Sequence, residues 1–251
     1  MNKKPYREQE IIETFEPITL TEMDKVSLMN RTDTKFVIKR QLFNELLPQL
    51  KDNYKALEIL GNRINNYETL YYDYPNFQFF LDHHNGRGNR FKVRIRNYVE
   101  SNLFFLEIKN KFKGRTDKKR IKVEGFELNL SEKSKGFIND IIGKDTPIVA
   151  KLWNSFGRIT LVNKNMEERL TLDLNLTFRW ENQTIVYDHV VIAELKQGSV
   201  NRASAFYKLM KNNEIRPYSI SKYCVGAVSL NPDLKYNNFK EKLLLIDKLK
   251  V

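Results

Sequence analysis

The sequence contains one cysteine, Cys224, among 251 residues. A single cysteine excludes an internal disulfide framework and a cysteine-ligated zinc site, and it fits a reducing compartment. No stretch approaches the roughly 18 consecutive apolar residues that a membrane-spanning helix needs. The first ten residues, MNKKPYREQE, lack the apolar segment of a signal peptide. We therefore expect a cytoplasmic protein and leave open a position at the inner face of the membrane.

Acidic residues are scarce relative to basic ones, with 31 Asp and Glu against 43 Lys and Arg and a formal net charge of +12. This balance favours an anionic partner, which includes nucleic acid, nucleotides, polyphosphate and anionic membrane surfaces. Apolar residues make up 41% of the chain, enough for a packed core. Because internal repeats are also lacking, we expect one domain over residues 1–251, with a flexible segment at 1–19 and a basic tail at 231–251.

Residues 91–111 alternate between cationic and apolar side chains. A period of two predicts strands, each with one face buried in apolar packing. The first strand would carry four cations on one face: Arg90, Lys92, Arg94 and Arg96. After a turn at residues 97–102, the second would carry Glu107, Lys109 and Lys111 on one face. Cations facing each other across a hairpin repel unless an anion lies between them. The hairpin therefore predicts one wall of a polyanion site.

Further stretches, most with the same alternation and one an aromatic-rich run at residues 67–74, bring the number of predicted strands to about eight. They include residues 34–38, 67–74, 118–128, 169–177 and 190–196. Helices are predicted at residues 20–23, 40–60 with a break at Pro48, 198–209 and 239–251, and residues 130–156 are predicted to be helical and mixed. Sandwich strands that face water favour Thr, Ser and Gln, whereas Arg and Lys dominate here. A closed antiparallel barrel with a charged lumen explains this pattern better than a sandwich.

Eight short motifs occur in a fixed order along the chain: RTDTKF (31–36), TLYYD (69–73), LDHHNGR (81–87), KVRIRNY (92–98), FLEIKNK (105–111), LTLDLNLTF (170–178), IAELK (192–196) and SISKYCVGA (219–227). Together they resemble the VTC-type polyphosphate polymerase domain, in a bacterial stand-alone form. That domain belongs to the triphosphate tunnel metalloenzymes. The resemblance implies an α+β fold, an eight-stranded antiparallel β-barrel that forms a triphosphate tunnel with flanking helices.

The resemblance also implies an activity. Members of this type transfer the terminal phosphoryl group of ATP to a growing inorganic polyphosphate chain, with Mn²⁺ or Mg²⁺ as cofactor. The expected partners are ATP and polyphosphate, and a membrane protein that takes up the product is left open. We expect no nucleic-acid partner, since no RNA- or DNA-reading motif is present. A triphosphatase of the same fold and a non-catalytic polyphosphate or nucleotide sensor stay as alternatives. The oligomeric state is left open.

Twelve residues are candidates for the site. The resemblance implies phosphate-binding roles for Lys35, Arg94, Arg96, Lys109, Arg169, Lys196, Ser221 and Lys222, and a metal-binding role for Glu194. We expect Arg94, Arg96, Lys109, Arg169 and Lys196 to act in catalysis and the others to bind substrate. Alternation along the strands adds three substrate-binding candidates: Lys92, Lys111 and Arg120. For each cation the alternative is a solvated strand face.

Several residues are of types that often act in catalysis or metal binding but are expected to have other roles in this chain. Arg31 stands where the wider family places an acid, which weakens a metal role for the first strand. Glu107 and Asp173 are expected to balance lumen charge rather than bind metal directly. His83 and His84 fit a structured loop better than a metal site, and Cys224 fits a core position. Ser221 has no His–Asp arrangement with it, which argues against a hydrolase nucleophile.

Overall fold

The computed structural model describes residues 7–24, 31–143 and 146–250. Within these residues the strands are β1 (Glu16–Ile18), β2 (Thr32–Lys39), β3 (Tyr54–Leu57), β4 (Ile64–Asp73), β5 (Asn89–Tyr98), β6 (Leu103–Phe112), β7 (Arg115–Val123), β8 (Val149–Asn163), β9 (Glu168–Trp180), β10 (Gln183–Tyr187) and β11 (Val190–Gln197). The helices are α1 (Arg7–Glu13), α2 (Leu20–Met23), α3 (Arg40–Leu46), α4 (Gln78–His84), α5 (Glu132–Ile142), α6 (Ala205–Asn212), α7 (Lys222–Leu230) and α8 (Lys240–Lys248). None of these helices is long and apolar enough to cross a membrane.

Eight strands form one antiparallel path in the order β2-β11-β9-β8-β4-β5-β6-β7. The sheet curls strongly into a half-barrel, which confirms the predicted α+β fold with eight antiparallel strands and flanking helices. Among the described strand pairs, β2 and β7 end the path without pairing to each other. The barrel is therefore open along the seam between them.

The convex face of the sheet buries aliphatic side chains, as the alternation predicted. Leu170, Leu172 and Leu195 are fully buried in a cluster that also holds residues of α1, α3 and α6. Val93 and Ile95 are fully buried in a second cluster, which α5 joins. Burial of each such side chain contributes about 1.5–3 kcal/mol. With these residues turned outward, the charged residues between them must face the concave side.

Helix α7 packs against the concave face of the half-barrel. Its Tyr223, Cys224 and Ala227 are buried in a cluster with residues of β2, β4, β8 and β9. A β-carbon on Gly226 would overlap the ring of Phe178 on β9. Only glycine permits this approach of helix to sheet, so Gly226 sets the distance between α7 and β9.

Strand β8 corrects the prediction for residues 130–156. Helix α5 ends at Ile142, where Gly143 follows with φ of 127°, and β8 begins at Val149. The strand lies at the centre of the sheet between β4 and β9. Burial alternates from Val149 to Phe156, but the polar Asn154 is among the buried residues there, and most residues from Phe156 to Val162 are buried. Polarity therefore does not alternate along β8 as it does along the strands that were predicted. Cross-strand pairing decides its conformation.

The helix predicted over residues 40–60 is shorter in the structure. Helix α3 ends at Leu46, and a 3-10 turn that contains Pro48 follows it, with β3 next along the chain. Proline has no N–H group with which to continue an α-helix. The predicted break at Pro48 is therefore confirmed, whereas the helix expected beyond it is wrong.

The loop expected at His83 and His84 is also wrong, because both residues lie in the last turn of α4. The helix is capped by Asp73, whose carboxylate accepts hydrogen bonds from the backbone N–H groups of Phe79 and Phe80. Asp73 precedes the helix by several residues and lies at the end of β4. The cap therefore depends on how strand and helix meet, which a local sequence pattern does not show.

A β-bulge interrupts β9 at Asn175, which has φ of 55°. Asp173 and Leu172 follow the predicted alternation, but the extra residue reverses it beyond the bulge. Leu174 therefore lies in the convex cluster and Leu176 in the concave one, whereas the sequence predicted a common face. The reversal lets apolar residues of β9 contact α7 while Asp173 still faces the charged side.

The described ends of the chain pack against the sheet. Residues 7–19 belong to the segment expected to be flexible, yet Ile12 is buried and the buried Glu8 forms an ion pair with Arg40 at 2.7 Å. Residues 1–6 of that segment lie outside the described residues. In the basic tail, Ile246 of α8 is buried and its carbonyl lies 2.9 Å from His189 Nε2. The described parts of both segments therefore contribute to the packed fold.

Candidate functional site

A cavity of about 250 Å³ lies on the concave face. Its charged lining comprises ten cationic residues and three acidic ones: Arg31, Lys35, Lys92, Arg94, Arg96, Lys109, Lys118, Arg158, Lys196 and Lys222, with Asp33, Asp173 and Glu194. Strands β2, β5, β6, β7, β8, β9 and β11 and the N-terminus of α7 supply most of them. So many cations around one small space give it a strongly positive potential.

Three acids are each held between two cations; Glu107 and Asp173 are buried and Glu194 is half-buried. The first is Glu107 on β6. It lies directly across from Arg94 on β5, whose Nη2 is 2.7 Å from Glu107 Oε2, and it also pairs with Lys118 on β7. Burial raises the pKa of Glu107, but Arg94, Arg96 and Lys118 outweigh burial and hold the pKa well below its usual range. Glu107 therefore offsets the charge of Arg94, whereas Lys92 and Lys109, which face each other across the same hairpin, do not contact it.

Asp173 on β9 is the second such acid. Arg158 on β8 donates two hydrogen bonds to its carboxylate, at 2.6 and 2.8 Å, and Lys222 contacts the same group. Burial raises the pKa of Asp173, yet Arg158 and Lys222 lower it more strongly. The two-pronged contact fixes the guanidinium plane of Arg158 at the cavity wall.

Glu194 on β11 is the third. Its carboxylate lies 2.9 Å from Lys196 Nζ and 3.2 Å from Lys35 Nζ, so its two nearest partners are both lining cations. Burial raises the pKa of Glu194, and Lys196 and Lys35 bring it well below the usual value. An ionised carboxylate therefore faces the cavity at the position for which the resemblance implied a metal ligand.

In the described part of the chain, three cavity cations form no ion pair: Lys92, Arg96 and Lys109. Arg96 makes a long hydrogen bond to Thr69, at 3.4 Å, and lies over buried aromatic rings. Burial lowers the pKa of Lys109 well below its usual range, and Arg94 lowers it further. An anionic ligand would supply the charge that these side chains lack.

The N-terminus of α7 faces the same cavity. Ser221 caps the nine-residue helix by accepting from the backbone N–H of Cys224 at 3.3 Å. Lys92 Nζ donates to the Ser221 hydroxyl at 2.9 Å, which joins the helix to β5. A helix N-terminus carries partial positive charge and free N–H groups, both suited to phosphate.

Nine of the twelve predicted site residues line the cavity, and three lie elsewhere on the concave face. Arg169 is opposite Lys196 in the register and donates to the backbone carbonyl of Met23 at 3.2 Å. Lys111 lies beyond the cavity along β6. Arg120 is exposed on β7, with its guanidinium 4.5 Å from the ring centroid of Phe105.

Sequence reasoning missed three cations that the structure places in the cavity: Arg31, Lys118 and Arg158. Arg31 was considered only as a departure from the acid that the wider family has at that position. Arg158 was hidden because its strand was not predicted, although β-branched and aromatic residues such as Trp153 and Ile159 are a usable signal there. Lys118 shares a strand face with Arg120, and the alternation could have found it.

The cysteine and the paired histidines do not line the cavity. Cys224 is fully buried, which confirms the predicted core position. Its sulfur lies 3.0 Å from His83 Nδ1, and this contact joins α7 to α4. Burial raises the pKa of the Cys224 thiol. These residues therefore serve the packing that positions α7.

The donor set suits a divalent metal bound mainly by substrate. In the described parts of the chain no cluster of three His, Cys, Asp or Glu residues can form a closed site. Of the three paired acids, Glu194 keeps the largest exposure, with 19% of its side chain accessible. Mg²⁺ and similar hard ions commonly bind through one or two carboxylates, phosphate oxygens and water. Glu194 is therefore the paired acid that would best serve as the protein ligand of such an ion.

Comparisons with known proteins agree with this geometry. The family model described as VTC domain matches residues 30–231. A protein from Hippeastrum, described as a candidate adenylyl cyclase with a dominant triphosphatase activity, is similar in structure with a TM-score of 0.51 and 14% identity, covering 80% of this chain and 96% of its own. A candidate adenylate cyclase from Vibrio parahaemolyticus has a TM-score of 0.46 and 10% identity over 78% of this chain and 98% of its own. No curated protein sequence matches the chain.

Proposed function

Because this chain belongs to the VTC domain family, we propose that it is a polyphosphate polymerase that transfers the terminal phosphoryl group of ATP to a growing inorganic polyphosphate chain. The observation that carries the proposal is the cavity lined by ten cations and three acids. Each paired acid is already matched by two cations, so the excess positive charge is available to a ligand. A chain of phosphates is a ligand of that charge.

The lining cations would divide the phosphate contacts by their geometry. Arg94 and Arg96 offer planar guanidinium groups that suit two-pronged contact with phosphate oxygens. The lysines act as point charges around the same space: Lys35, Lys92, Lys109 and Lys196. Ser221 and Lys222 would hold the phosphate nearest to α7, where the helix N-terminus adds to the field. Substrate contacts beyond the cavity stay predictions for the three remaining candidates: Arg169, Lys111 and Arg120.

The transfer needs no nucleophile from the protein. An oxygen of the terminal phosphate of the acceptor chain attacks the γ-phosphorus of ATP, and the bond between that phosphorus and the oxygen bridging to the β-phosphate breaks. ADP leaves, and the chain is longer by one phosphate. The residues position the two reactants and stabilise charge on the transferring oxygens. When bound, Mn²⁺ or Mg²⁺ supplies further neutralisation of phosphate charge, and Glu194 is the residue that would hold it.

A triphosphatase is the second candidate, favoured by the triphosphatase activity named for the Hippeastrum protein. In that reaction water replaces the acceptor phosphate in the same cavity. A sensor that binds polyphosphate without turnover is the third. All three share the phosphate contacts and differ only in the fate of the bound phosphates.

The distinguishing experiment is an incubation of the purified protein with ATP, Mn²⁺ and a short polyphosphate primer. A product ladder that lengthens with time on a polyphosphate-stained gel supports the polymerase. Free phosphate without a ladder contradicts it and supports the triphosphatase. A primer that stays bound with neither product supports the sensor. The Glu194→Gln variant should lose the ladder while its circular dichroism spectrum stays that of the folded protein, and an undiminished ladder would contradict the metal role.

A further inference from the structure

The concave face changes character beyond Arg96. The next residue on this face of β5 is Tyr98, and the residue directly across from Arg96 on β6 is Phe105. The two rings meet edge to face, with centroids 5.9 Å apart and planes at 89°. Both are half-buried, and Tyr98 lines the cavity. An aromatic patch therefore borders the cationic space.

An exposed arginine lies on this patch. The guanidinium carbon of Arg120 is 4.5 Å from the ring centroid of Phe105, within the range of a cation–π contact. Arg120 lies directly across from Glu107 in the β6–β7 register, yet Glu107 pairs with Arg94 and Lys118. The guanidinium is thus held against an aromatic ring at the edge of the site.

Buried rings support Tyr98 from behind. Its ring meets that of Tyr67 at 5.1 Å, and Tyr67 in turn stacks on Phe156 with centroids 5.3 Å apart and planes within 1°. Tyr67 and Phe156 are buried. Because these neighbours restrict the Tyr98 ring, the patch is arranged before any ligand arrives.

We propose that Tyr98, Phe105 and Arg120 form a stacking platform for the base of a nucleoside triphosphate. The inference rests on the proposed function, since the phosphates of that nucleotide would enter the cationic cavity. Two residues along a strand span about 6.6 Å, so the platform directly adjoins Arg96 and the cationic space that the phosphates would enter. Lys92, which contacts Ser221, precedes Tyr98 on β5, so with the base on the platform the phosphates would extend along β5 toward Ser221.

The platform recognises a ring and not a particular base. Every nucleobase has a π-face, and stacking on aromatic side chains tolerates changes of base. ATP and GTP are therefore expected to bind with similar affinity. Inorganic polyphosphate has no ring and does not use the platform, so the donor and the product chain differ in which residues they contact.

The test compares ATP with inorganic tripolyphosphate, which carries the phosphates without the base. Dissociation constants are measured by calorimetry in metal-free buffer for the wild type and Phe105→Leu. The variant should weaken ATP binding roughly 5-fold or more and leave tripolyphosphate within about twofold, as loss of one stacked base predicts. Phe104→Leu is the matched control, because Phe104 is the adjacent residue on β6 and packs edge-on against Phe126 at 5.1 Å. It should change neither constant.

Arg120→Gln provides a second variant, since an exposed side chain can be replaced without loss of the fold. It should also weaken ATP more than tripolyphosphate. Equal loss of both ligands in Phe105→Leu, or unchanged ATP binding in both variants, would overturn the platform. If the wild type binds ATP but not tripolyphosphate, the proposed phosphate function fails while the ATP comparison still decides the platform. If it binds neither, both proposals are overturned.

Discussion

Lys109 differs from most other cations of the cavity in having no acidic partner among the described residues. The three paired acids together hold six cations through ion pairs, and Lys109 shares the cavity with these groups. Its depressed pKa follows from burial and from Arg94. A charge in this position contributes unfavourably to the free protein and favourably once an anion is bound. Replacing Lys109 with an uncharged residue should therefore weaken ligand binding without lowering the free energy of unfolding.

We expect Lys109→Met to weaken tripolyphosphate binding by about 10-fold, equivalent to about 1.4 kcal/mol. The free energy of unfolding should stay the same or rise, because repulsion with Arg94 is relieved. Calorimetry and urea denaturation measure the two quantities. Lys119→Met is the control, since Lys119 is exposed on β7 and lies across from Ile108, which belongs to the convex face. Equal losses in both variants would mean that general surface charge, and not the cavity, attracts the ligand.

The lowered pKa of Lys118 predicts how tripolyphosphate binding depends on pH. Burial lowers the pKa of Lys118 to about 8, although Glu107 raises it. As the pH rises through 8, Lys118 loses its proton and the cavity loses one positive charge. Tripolyphosphate affinity should therefore fall more steeply from pH 7 to pH 9 in the wild type than in Lys118→Met. The ionisation of the ligand is common to both proteins. Identical pH profiles would exclude Lys118 as a contributor.

At the level of secondary-structure elements, α7 both packs against the sheet and contributes residues to the cavity. The same nine-residue helix packs Gly226 on Phe178 and presents Ser221 and Lys222 to the cavity. Asp73, at the end of β4, connects α7 to the sheet by accepting a hydrogen bond from the Tyr223 hydroxyl. A shift of the helix at Gly226 must therefore move its phosphate-facing end.

Gly226→Ala tests this connection. Alanine favours a helix by about 1 kcal/mol over glycine. The new methyl group, however, would overlap the buried Phe178 ring, and overpacking costs about 1–3 kcal/mol. We expect net destabilisation in urea denaturation and weaker tripolyphosphate binding. Gly136→Ala in α5, where nothing lies within 4 Å of the new carbon, should instead stabilise by about 1 kcal/mol. A stabilised Gly226→Ala would contradict the close packing.

The whole molecule, with a net charge of +12, concentrates many of its cations on one concave surface. Repulsion among these cations opposes folding, and the paired acids offset only part of it. A polyanion that binds the folded state alone would supply the remaining charge and stabilise the protein by mass action.

Tripolyphosphate should therefore raise the melting temperature. At 100 times its dissociation constant the stabilisation is about 2.7 kcal/mol, which for a chain of this length corresponds to a rise of about 5–10 °C. The rise should shrink as sodium chloride increases, because salt screens the exposed part of the interaction. Differential scanning fluorimetry measures both effects, and sodium chloride alone at matched ionic strength is the control. An equal rise with chloride alone would contradict specific binding.

Local pattern was enough to place Arg94 with Arg96 and Glu194 with Lys196, because alternate residues of a strand share a face wherever the strand lies. It could not place Arg158, whose strand is specified by pairing with β4 and β9 and is buried on both sides. Nor could it find the bulge in β9, which depends on pairing with β8, or the side-chain cap of α4, since Asp73 lies outside the helix at the end of β4. Strand faces follow from a period of two residues, whereas the cavity follows from the order and register in which the strands meet.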